Sequence, residues 1–383
     1  MKKASILILS LFLSLTAVFS APQSAAGAAT PKNAAYLDKA NSAFVPLRSL
    51  SGLDGIVTTV KNDGSIIIAR GDRTLSLVRG SMSAADASGR TFNLAKPAFA
   101  SGGTTYVPLS AVSGALDIAL QWGKAPVSLT LTAGGDSVTL PVQSGSLIAS
   151  DTPAASSAKR TFKVGGRSFT VQMVTVSLLH PAVSLNAVLA GNTVGKTEAL
   201  GSIAKRSQAQ AAINGTFFDA YTKDAYKAPY GYIASGGKLL KNSPGDKRTV
   251  FVYDSNLLAD LVPGGEFMDR LNSGAVTGAI QAGPRLLTNG QVALNVAAEG
   301  FKDPKILTGG GARSALGLTR DHKLILLTTG GATIPQLAQI MKQAGAYQAM
   351  NLDGGASSGL YYGGKYLTEP GRLISNALVV KTR

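Results

Sequence analysis

One short segment, residues 351–359, concentrates polar side chains among glycines. Its sequence is Asn-Leu-Asp-Gly-Gly-Ala-Ser-Ser-Gly. A carboxylate can activate water or accept a proton, and glycine lets backbone N–H groups approach a ligand closely. The segment follows a short apolar run, so we expect a loop at the end of a strand, a common place for a binding or catalytic site. The same pattern also fits a glycine-rich turn between two strands.

The rest of the composition narrows the chemistry that this segment could serve. Cysteine is absent, which excludes disulfides, thiolate nucleophiles and cysteine-ligated zinc. The two histidines, His180 and His322, lie in an apolar run and in a polar turn, so a Ser-His-Asp triad or a multi-histidine zinc site has little material. Glutamate is scarce. Acid–base or metal chemistry must therefore rest mainly on aspartates.

The charge pattern points to an anionic partner. The net charge is +16, and the excess of Lys and Arg is spread along the chain. Diffuse positive charge suits anionic surroundings such as teichoic acids, phospholipid or a phosphorylated glycan, including an anionic cell-wall polymer. A nucleic-acid partner is not expected, because no basic stripe with interleaved aromatic residues is visible.

The first residues have the pattern of a secretory signal peptide. Lys2 and Lys3 precede a mostly apolar run, and small residues follow it. We expect cleavage within residues 20–29, with a retained membrane anchor as the alternative. No later segment is long and apolar enough to span a membrane. We therefore expect the mature protein to be secreted and to work at a cell envelope. Association with the cell wall is one form of this location.

Two helix–strand units in the C-terminal half each deliver a polar loop. In the later unit Thr333 is the predicted N-cap of a helix, with Pro335 in its first turn and Gln336 at the capping-box position. A strand over 347–350 follows and ends at Asn351; in the earlier unit a helix over 197–204 and a strand over 208–213 end at Asn214. If both strands lie parallel in one sheet, both loops emerge at the same edge.

That arrangement predicts the fold class and the first site residues. We expect an α+β or mixed α/β protein, in which a mixed β-sheet flanked by helices forms the catalytic domain and a small β-rich domain with short helices precedes it. The convergence of the two loops would bring Asn214, Asp219, Asn351 and Asp353 together.

Two loops between these units carry arginine. Arg285 follows Gly283-Pro284, and Arg313 follows three glycines at 309–311. An arginine beside exposed backbone donors is well suited to hold an anion. An ordinary salt-bridging arginine is the alternative for each.

The N-terminal third contains a weak internal repeat. Residues 43–54 and 105–117 each hold a strand with Val-Pro-Leu followed by a short helix that stops near glycine. Between them, residues 65–69 and 74–78 are predicted to form a hairpin with a turn at 71–73. This region resembles the copper amine oxidase N-terminal-like domain. It lacks histidine and cysteine for a copper site, and we interpret it as a stalk or wall-associated module.

Four ordered motifs identify the C-terminal part by resemblance. They are Ala-Ile-Asn-Gly-Thr-Phe-Phe at 212–218, Gln-Ala-Gly-Pro-Arg-Leu-Leu at 281–287, Gly-Ala-Arg-Ser-Ala-Leu-Gly at 311–317 and Asn-Leu-Asp-Gly-Gly-Ala-Ser-Ser at 351–358. Together they resemble the phosphodiester glycosidase family. The expected organisation is a signal peptide at 1–29, the stalk module at 30–143, a linker at 144–159 and a phosphodiester glycosidase domain at 160–383.

The resemblance implies hydrolysis of the bond between an anomeric sugar carbon and a phosphodiester. Asp353 is then the candidate catalytic carboxylate, Arg313 the candidate phosphate clamp and Asp219 a further acid/base or metal ligand. Asn214 is a catalytic candidate that binds sugar hydroxyls or orients Asp353. The candidate substrate-binding residues are Asn351, Gly354, Gly355, Ser357, Ser358, Arg285 and Gly215.

The sequence leaves two further points open. A cofactor is not required by these residues, although Asp, Asn and carbonyl oxygens would suit a divalent cation such as Ca²⁺. The predicted function is a secreted hydrolase, a glycosidase of sugar-1-phosphodiesters in envelope glycans or exopolysaccharide. The alternatives are a non-catalytic envelope protein that binds phosphorylated glycans and a structural wall protein.

Overall fold

The computed structural model describes residues 32–382. The predicted signal peptide at 1–29 lies outside these residues. The protein is mostly β: 45% of it is strand and 14% helix. The predicted α+β or mixed α/β class is therefore wrong. The described helices are few and short, whereas the strands form five sheets.

The N-terminal part contains two sheets. A seven-stranded sheet has the order β10-β11-β12-β1-β2-β9-β8, and a five-stranded sheet runs from β3 to β7 in sequence order. The predicted hairpin is confirmed by the pairing of β4 with β5. The strands are β1 Ala35–Asp38, β2 Ala43–Pro46, β3 Ile56–Val60, β4 Ser65–Arg70, β5 Arg73–Val78, β6 Ser83–Ala85, β7 Thr91–Asn93, β8 Phe99–Ser101, β9 Thr104–Pro108, β10 Ala119–Lys124, β11 Val127–Ala133 and β12 Asp136–Gly145.

The C-terminal part contains three sheets. Their orders are β13-β14-β25-β24-β26-β22-β23, β15-β29-β16-β27-β28 and β18-β17-β21-β19-β20. The strands are β13 Ala155–Val164, β14 Arg167–Ser177, β15 Val183–Leu189, β16 Ala211–Asn214, β17 Ile233–Ser235, β18 Lys238–Lys241, β19 Val250–Tyr253, β20 Ala259–Val262, β21 Gly278–Gln281, β22 Arg285–Thr288, β23 Gln291–Val292, β24 Gly311–Leu318, β25 Lys323–Ala332, β26 Gln348–Asn351, β27 Leu360–Tyr362, β28 Lys365–Thr368 and β29 Asn376–Thr382.

The helices cover outer faces of these sheets. In the C-terminal part α2, α3 and α5 each pack on a different sheet. The helix α5 begins at Thr333 with the predicted capping box, in which Thr333 and Gln336 bond reciprocally. The helices are α1 Leu109–Leu116, α2 Leu200–Arg206, α3 Gly264–Asn272, α4 Pro304–Leu307 and α5 Ile334–Gln343, with 3₁₀ turns at Leu47–Gly52, Ala190–Asn192 and Gly355–Ser357.

The largest core lies between the three C-terminal sheets. In β25, Leu324 and Leu326 face this core, while Ile325 and Leu327 face the helix α5. Side chains of a strand point alternately to its two faces. The seven-stranded sheet of the C-terminal part, to which β25 belongs, is therefore buried on both faces. This burial accounts for the apolar run at the start of β25.

The two polar loops come from different sheets. The strand β16, which ends at Asn214, pairs with β27 and β29, whereas β26 pairs with β22 and β24. All of these pairings are antiparallel. The expected parallel arrangement in one sheet is therefore wrong, and the loops meet because two sheets pack face to face.

The segment between the N-terminal and C-terminal strands is shorter than the predicted linker at 144–159. The last five residues of that predicted linker begin β13, which pairs with β14 along ten residues. The connection between the last N-terminal strand and the first C-terminal strand is therefore 146–154. Within residues 32–382 no helix has the length and apolarity that crossing a membrane would require.

Candidate functional site

A cavity of about 390 Å³ opens beside the loop that follows β26. This volume is within the range of ligand pockets. Segments that follow β16 and β26, which belong to two different sheets, line it together with residues in and around α4. The charged residues of its lining are Asp219, Arg248, Asp303, Lys305, Arg313, Asp353 and Arg372.

Asp353 lines this cavity from the loop after β26. Its backbone N–H donates to the carbonyl of Gly215 at 3.1 Å, and its Oδ1 accepts from the N–H of Gly354 at 2.9 Å. Burial raises the pKa of Asp353 to about 7, although hydrogen bonds from Ser357 and Gly354 and the charge of Arg372 oppose this rise. A carboxyl group with a pKa near neutrality can exchange protons under physiological conditions.

The glycines after Asp353 shape the wall of the cavity. Gly354, Gly355 and Ser357 line it, and Ser357 also hydrogen-bonds Asp353. Gly355 has φ +61°, a left-handed conformation that glycine adopts without strain. Ala356, the next residue, does not have a positive φ. An alanine is therefore compatible with the backbone of the loop there.

Asn214 lies behind Asp353 and holds its backbone. The residue is buried, its Nδ2 donates to the carbonyl of Asp353 at 2.7 Å, and its Oδ1 accepts from Ser314 at 2.6 Å and from Gly359 at 3.0 Å. These bonds join strands of two sheets at the site. Asn214 is absent from the cavity lining and holds the backbone of Asp353, which favours the orientation of Asp353 among its two predicted roles.

Three predicted substrate-binding residues also lie outside the lining. Asn351 is buried and donates through Nδ2 to the carbonyl of Gly283 at 2.8 Å. Gly215 packs so closely that an added Cβ would lie 2.0 Å from the Oδ1 of Asn376. Ser358 is buried, and its Oγ has no hydrogen-bond partner among the described residues. Asn351 and Gly215 therefore act as structural supports of the loops.

Arg313 lines the cavity from the strand β24 and also supports the backbone. Its Nε donates to Ala332 at 3.0 Å, and its Nη2 donates to Lys305 at 2.7 Å and Gly309 at 2.8 Å, all through carbonyl oxygens. A Cβ built on Gly354 would lie 3.8 Å from its Nη1. Only one edge of the guanidinium thus remains for an anion in the cavity.

Arg285 is directed away from the cavity. Its Nη1 donates to the carbonyl of Leu261 at 2.7 Å, and its Nη2 donates to Oε1 of Gln348 at 2.7 Å. Arg285 is absent from the cavity lining. The predicted role as a second phosphate ligand is therefore corrected to a structural one, because its donors are used within the fold.

Asp219 reaches the cavity from the segment after β16. Its Oδ1 accepts from the backbone N–H of Thr222 at 3.1 Å. Asp219, Asp303 and Asp353 all line the cavity. Within residues 32–382, however, no three histidine or acidic side chains are grouped closely enough to hold a metal ion. The described geometry gives no argument for the Ca²⁺ alternative.

Sequence reasoning missed a cationic cluster around Tyr221. Arg372 donates to the Tyr221 hydroxyl at 3.0 Å, its Cζ lies 4.8 Å from the ring centroid, and the Nζ of Lys305 lies 5.7 Å from it. The hydrogen bond from Arg372 and the nearby positive charges lower the pKa of Tyr221. The available signal was the segment Phe-Phe-Asp-Ala-Tyr at 217–221, which carries three aromatic residues shortly after Asn214. Arg372 lies in a Pro-Gly-Arg turn without a comparable signal.

Comparison with protein families gave two matches. The phosphodiester glycosidase family model matches residues 207–381, and the copper amine oxidase N-terminal domain matches residues 25–131 and 86–177. The C-terminal part of the chain is therefore a phosphodiester glycosidase domain, preceded by a copper amine oxidase N-terminal domain. Both predicted resemblances are confirmed.

Two solved structures are similar in fold. A hypothetical protein from Synechocystis shares 16% sequence identity with a TM-score of 0.54, over 92% of this chain and 99% of that chain. The catalytic domain of zebrafish N-acetylglucosamine-1-phosphodiester alpha-N-acetylglucosaminidase, auto-inhibited by its pro-peptide, shares 22% identity with a TM-score of 0.51, over 61% of this chain and 86% of that chain. The comparison with curated proteins gave no match.

Proposed function

We propose that this protein is a secreted hydrolase that cleaves the glycosidic bond of sugar-1-phosphodiesters in envelope or exported glycans. The observation that carries the proposal is that Asp353, Arg313 and Arg372 line one cavity. A carboxylate that acts at the sugar and cations that hold the phosphate are the groups that this reaction needs. The family of the domain supports the same reaction class.

The proposed reaction uses the ionised form of Asp353. The carboxylate either takes a proton from the attacking water or attacks the anomeric carbon itself. The bond between the anomeric carbon and the phosphate oxygen breaks, and its electron pair leaves with the phosphate. When Asp353 attacks the anomeric carbon, water then hydrolyses the resulting glycosyl ester and restores the carboxylate. In both cases one water is consumed, and the products are a reducing sugar and a phosphomonoester.

One acidic residue suffices for this leaving group. A phosphate leaves without the proton that an ordinary glycoside oxygen needs, so a second carboxylic acid is less important than in most glycosidases. The free edge of Arg313, together with Arg372 and Lys305, is placed to stabilise the charge that develops on the phosphate. Asp219 remains a candidate for a sugar hydroxyl or for proton transfer.

The rest of the lining suits a sugar. Phe217, Tyr221, Tyr230 and Phe301 all line the cavity, and Tyr221 is 76% exposed. Aromatic faces provide apolar area with a defined geometry, and the tyrosines add a polar group at one end. A ring with both apolar C–H faces and hydroxyl edges fits such walls.

Secretion and the envelope remain part of the proposal. The signal-peptide pattern of the first residues and the net charge of +16 support a location next to anionic polymers. The N-terminal domain is proposed to hold the enzyme at the wall.

The test is an incubation with a synthetic sugar-1-phosphate alkyl diester, followed by assays for reducing sugar and for phosphomonoester. Wild-type protein is expected to release both in equal amounts, whereas Asp353→Asn releases neither at a comparable rate. Binding of the diester without any turnover in the wild-type protein would instead support the non-catalytic glycan-binding alternative.

A further inference from the structure

A second cavity adjoins the first one. It has a volume of about 350 Å³, and four residues, Tyr230, Arg248, Phe301 and Asp303, line both cavities. Tyr230 is 45% exposed and Asp303 is also exposed, so the rim that the two cavities share is open to solvent. A ligand longer than one sugar could therefore extend across this rim.

The outer cavity has its own cations. Lys241 and Lys302 line it and do not line the inner cavity. Among the described residues neither lysine forms a salt bridge, and the Nζ of Lys241 donates only to the neighbouring carbonyl of Asn242. Lys302 is exposed. Both ammonium groups are thus available to an anion that enters from solvent.

The acidic residues of the outer cavity do not cancel this charge. Asp246 is already paired with Arg248, whose Nε donates to Oδ1 and whose Nη2 donates to Oδ2 of the carboxylate. Asp303 accepts the N–H of Lys305 through its Oδ1 as the N-cap of α4. Apart from the Arg248–Asp246 pair, the outer cavity thus holds two lysines and one acidic side chain, Asp303. Its net charge is therefore positive.

The rim between the cavities offers a surface for a sugar ring. The Cζ of Arg248 lies 5.6 Å from the ring centroid of Phe217, and the ion pair with Asp246 fixes its position. Tyr230, which is 45% exposed, and Phe301 add aromatic rings to this rim. This rim therefore lies between the cations of the inner cavity and the two lysines of the outer cavity.

We propose that this outer cavity is a subsite for a second anionic repeat, so that the preferred substrate is an oligomer of sugars joined by phosphodiesters. The proposal rests on the proposed function of the inner cavity. Lys241 and Lys302 bind the phosphate of the next repeat, and Tyr230 and Arg248 contact the sugar between the two phosphates. The enzyme then prefers a chain over a single sugar-1-phosphodiester.

The test compares three substrates with the full chain: a single sugar-1-phosphate alkyl diester, a two-repeat oligomer with two phosphodiesters, and a two-sugar analogue whose second linkage is uncharged. We expect KM for the two-phosphate oligomer to be about tenfold lower than for the other two substrates, a difference that corresponds to about 1.4 kcal/mol. Equal KM values for the one-phosphate and two-phosphate substrates would overturn the proposal.

The double variant Lys241→Ala/Lys302→Ala separates this subsite from the catalytic cavity. It is expected to lose the tenfold advantage of the two-phosphate oligomer and to keep the wild-type kcat/KM on the single diester. The matched control is Lys61→Ala/Lys96→Ala, which removes two exposed lysines of the N-terminal part and should keep the advantage. Loss of the advantage in the control as well would attribute it to net charge and overturn the subsite.

Binding to the Asp353→Asn protein distinguishes failure of the subsite from failure of the hydrolase. Calorimetric titration with the two-phosphate oligomer is expected to show binding that the added Lys241→Ala/Lys302→Ala changes weaken about tenfold. If wild-type protein cleaves no diester but this lysine-dependent binding is found, the subsite stands and the hydrolase proposal falls. If the wild-type protein cleaves the diester but binding does not depend on the two lysines, the hydrolase proposal stands and the subsite falls.

Discussion

At the scale of single residues, the environment of Asp353 decides how the site could work. The carboxyl group is partly buried, and Arg372, whose charge lowers the pKa of Asp353, also donates to the Tyr221 hydroxyl. Because no salt bridge to Asp353 is formed among the described residues, the cost of burial dominates and its pKa rises to about 7. Asp353 can therefore change its protonation state near neutral pH.

This pKa predicts the pH dependence of activity. Because the proposed reaction needs the carboxylate, kcat/KM should rise about tenfold per pH unit below pH 7 and become constant above it. The measurement is kcat/KM of wild-type protein for the alkyl diester from pH 5 to pH 9. A rate that falls as the pH rises through 7 would show that the protonated form is the active one and would contradict the assigned role.

The same pKa predicts an effect on stability with a definite sign. The folded protein holds the Asp353 proton more tightly than the unfolded chain does, so this stabilising contribution is present below the ordinary aspartate pKa and is lost as the pH rises through about 7. Asp353→Asn removes the charge and should raise Tm above that of wild-type protein at pH 8. The two proteins should differ little at pH 4, and a lower Tm for the variant at pH 8 would argue against a strained carboxylate.

The two arginines of the cavity should respond differently to truncation. Arg313→Ala leaves the carbonyls of Ala332, Lys305 and Gly309 without their donor, so it should lower the free energy of unfolding by about 3 kcal/mol as well as the rate. The loss of rate in Arg313→Ala should therefore come with a measurable loss of stability. Arg372→Ala removes one hydrogen bond and one cation–π contact to the exposed Tyr221, together with the positive charge that acts on Asp353. It should lower kcat by about 10²–10³ with an unchanged Tm, and an unchanged kcat would remove Arg372 from the mechanism.

At the scale of elements, the site depends on the strands that meet behind it. Asn214 at the end of β16 bonds to Asp353 after β26, to Ser314 in β24 and to Gly359 before β27. The loops are thereby fixed by side chains that never reach the substrate. This arrangement suits a site whose carboxyl group must keep one position without a salt bridge.

The helix α5 offers a test of an element that supports the site only indirectly. Thr333 caps this helix and bonds the backbone N–H of Gln336 at 3.3 Å. Thr333→Ala should lower the free energy of unfolding by about 1 kcal/mol, measured by denaturant titration, with kcat/KM unchanged. A large loss of activity at unchanged stability would show that the residue has a direct role in the site. Thr161→Ala on the exposed edge strand β13 serves as the control, with little effect on either quantity.

At the scale of the whole molecule, the net charge of +16 should attract anionic substrates. Because salt screens charges, with a Debye length of about 10 Å at 0.1 M and about 3 Å at 1 M, KM for the phosphate-linked oligomer should rise severalfold across this range. The kcat should change little, since the groups inside the cavity are less screened. Measurement of both constants at the two salt concentrations tests this, and a KM independent of salt would exclude long-range attraction.

The sequence alone was sufficient for the local features and the family. The capping box at Thr333, the hairpin of β4 and β5 and the four ordered motifs depend on residues that are close along the chain, and the structure or the comparisons confirm each of them. The glycine-rich loop with Asp353 was also located from its residue types, because a carboxylate among glycines is visible without knowledge of the fold.

Only the tertiary structure decided which side chains share the cavity. Strand pairing across distant parts of the chain made the protein mostly β and placed β16 and β26 in different sheets. It placed Arg285 against the backbone of β20, fastened Arg313 by three carbonyls and brought Arg372 and Lys305 to Tyr221. A sequence pattern records which groups a segment carries. Which groups point into the same volume depends on contacts between residues far apart in sequence, and those contacts exist only after the sheets have packed.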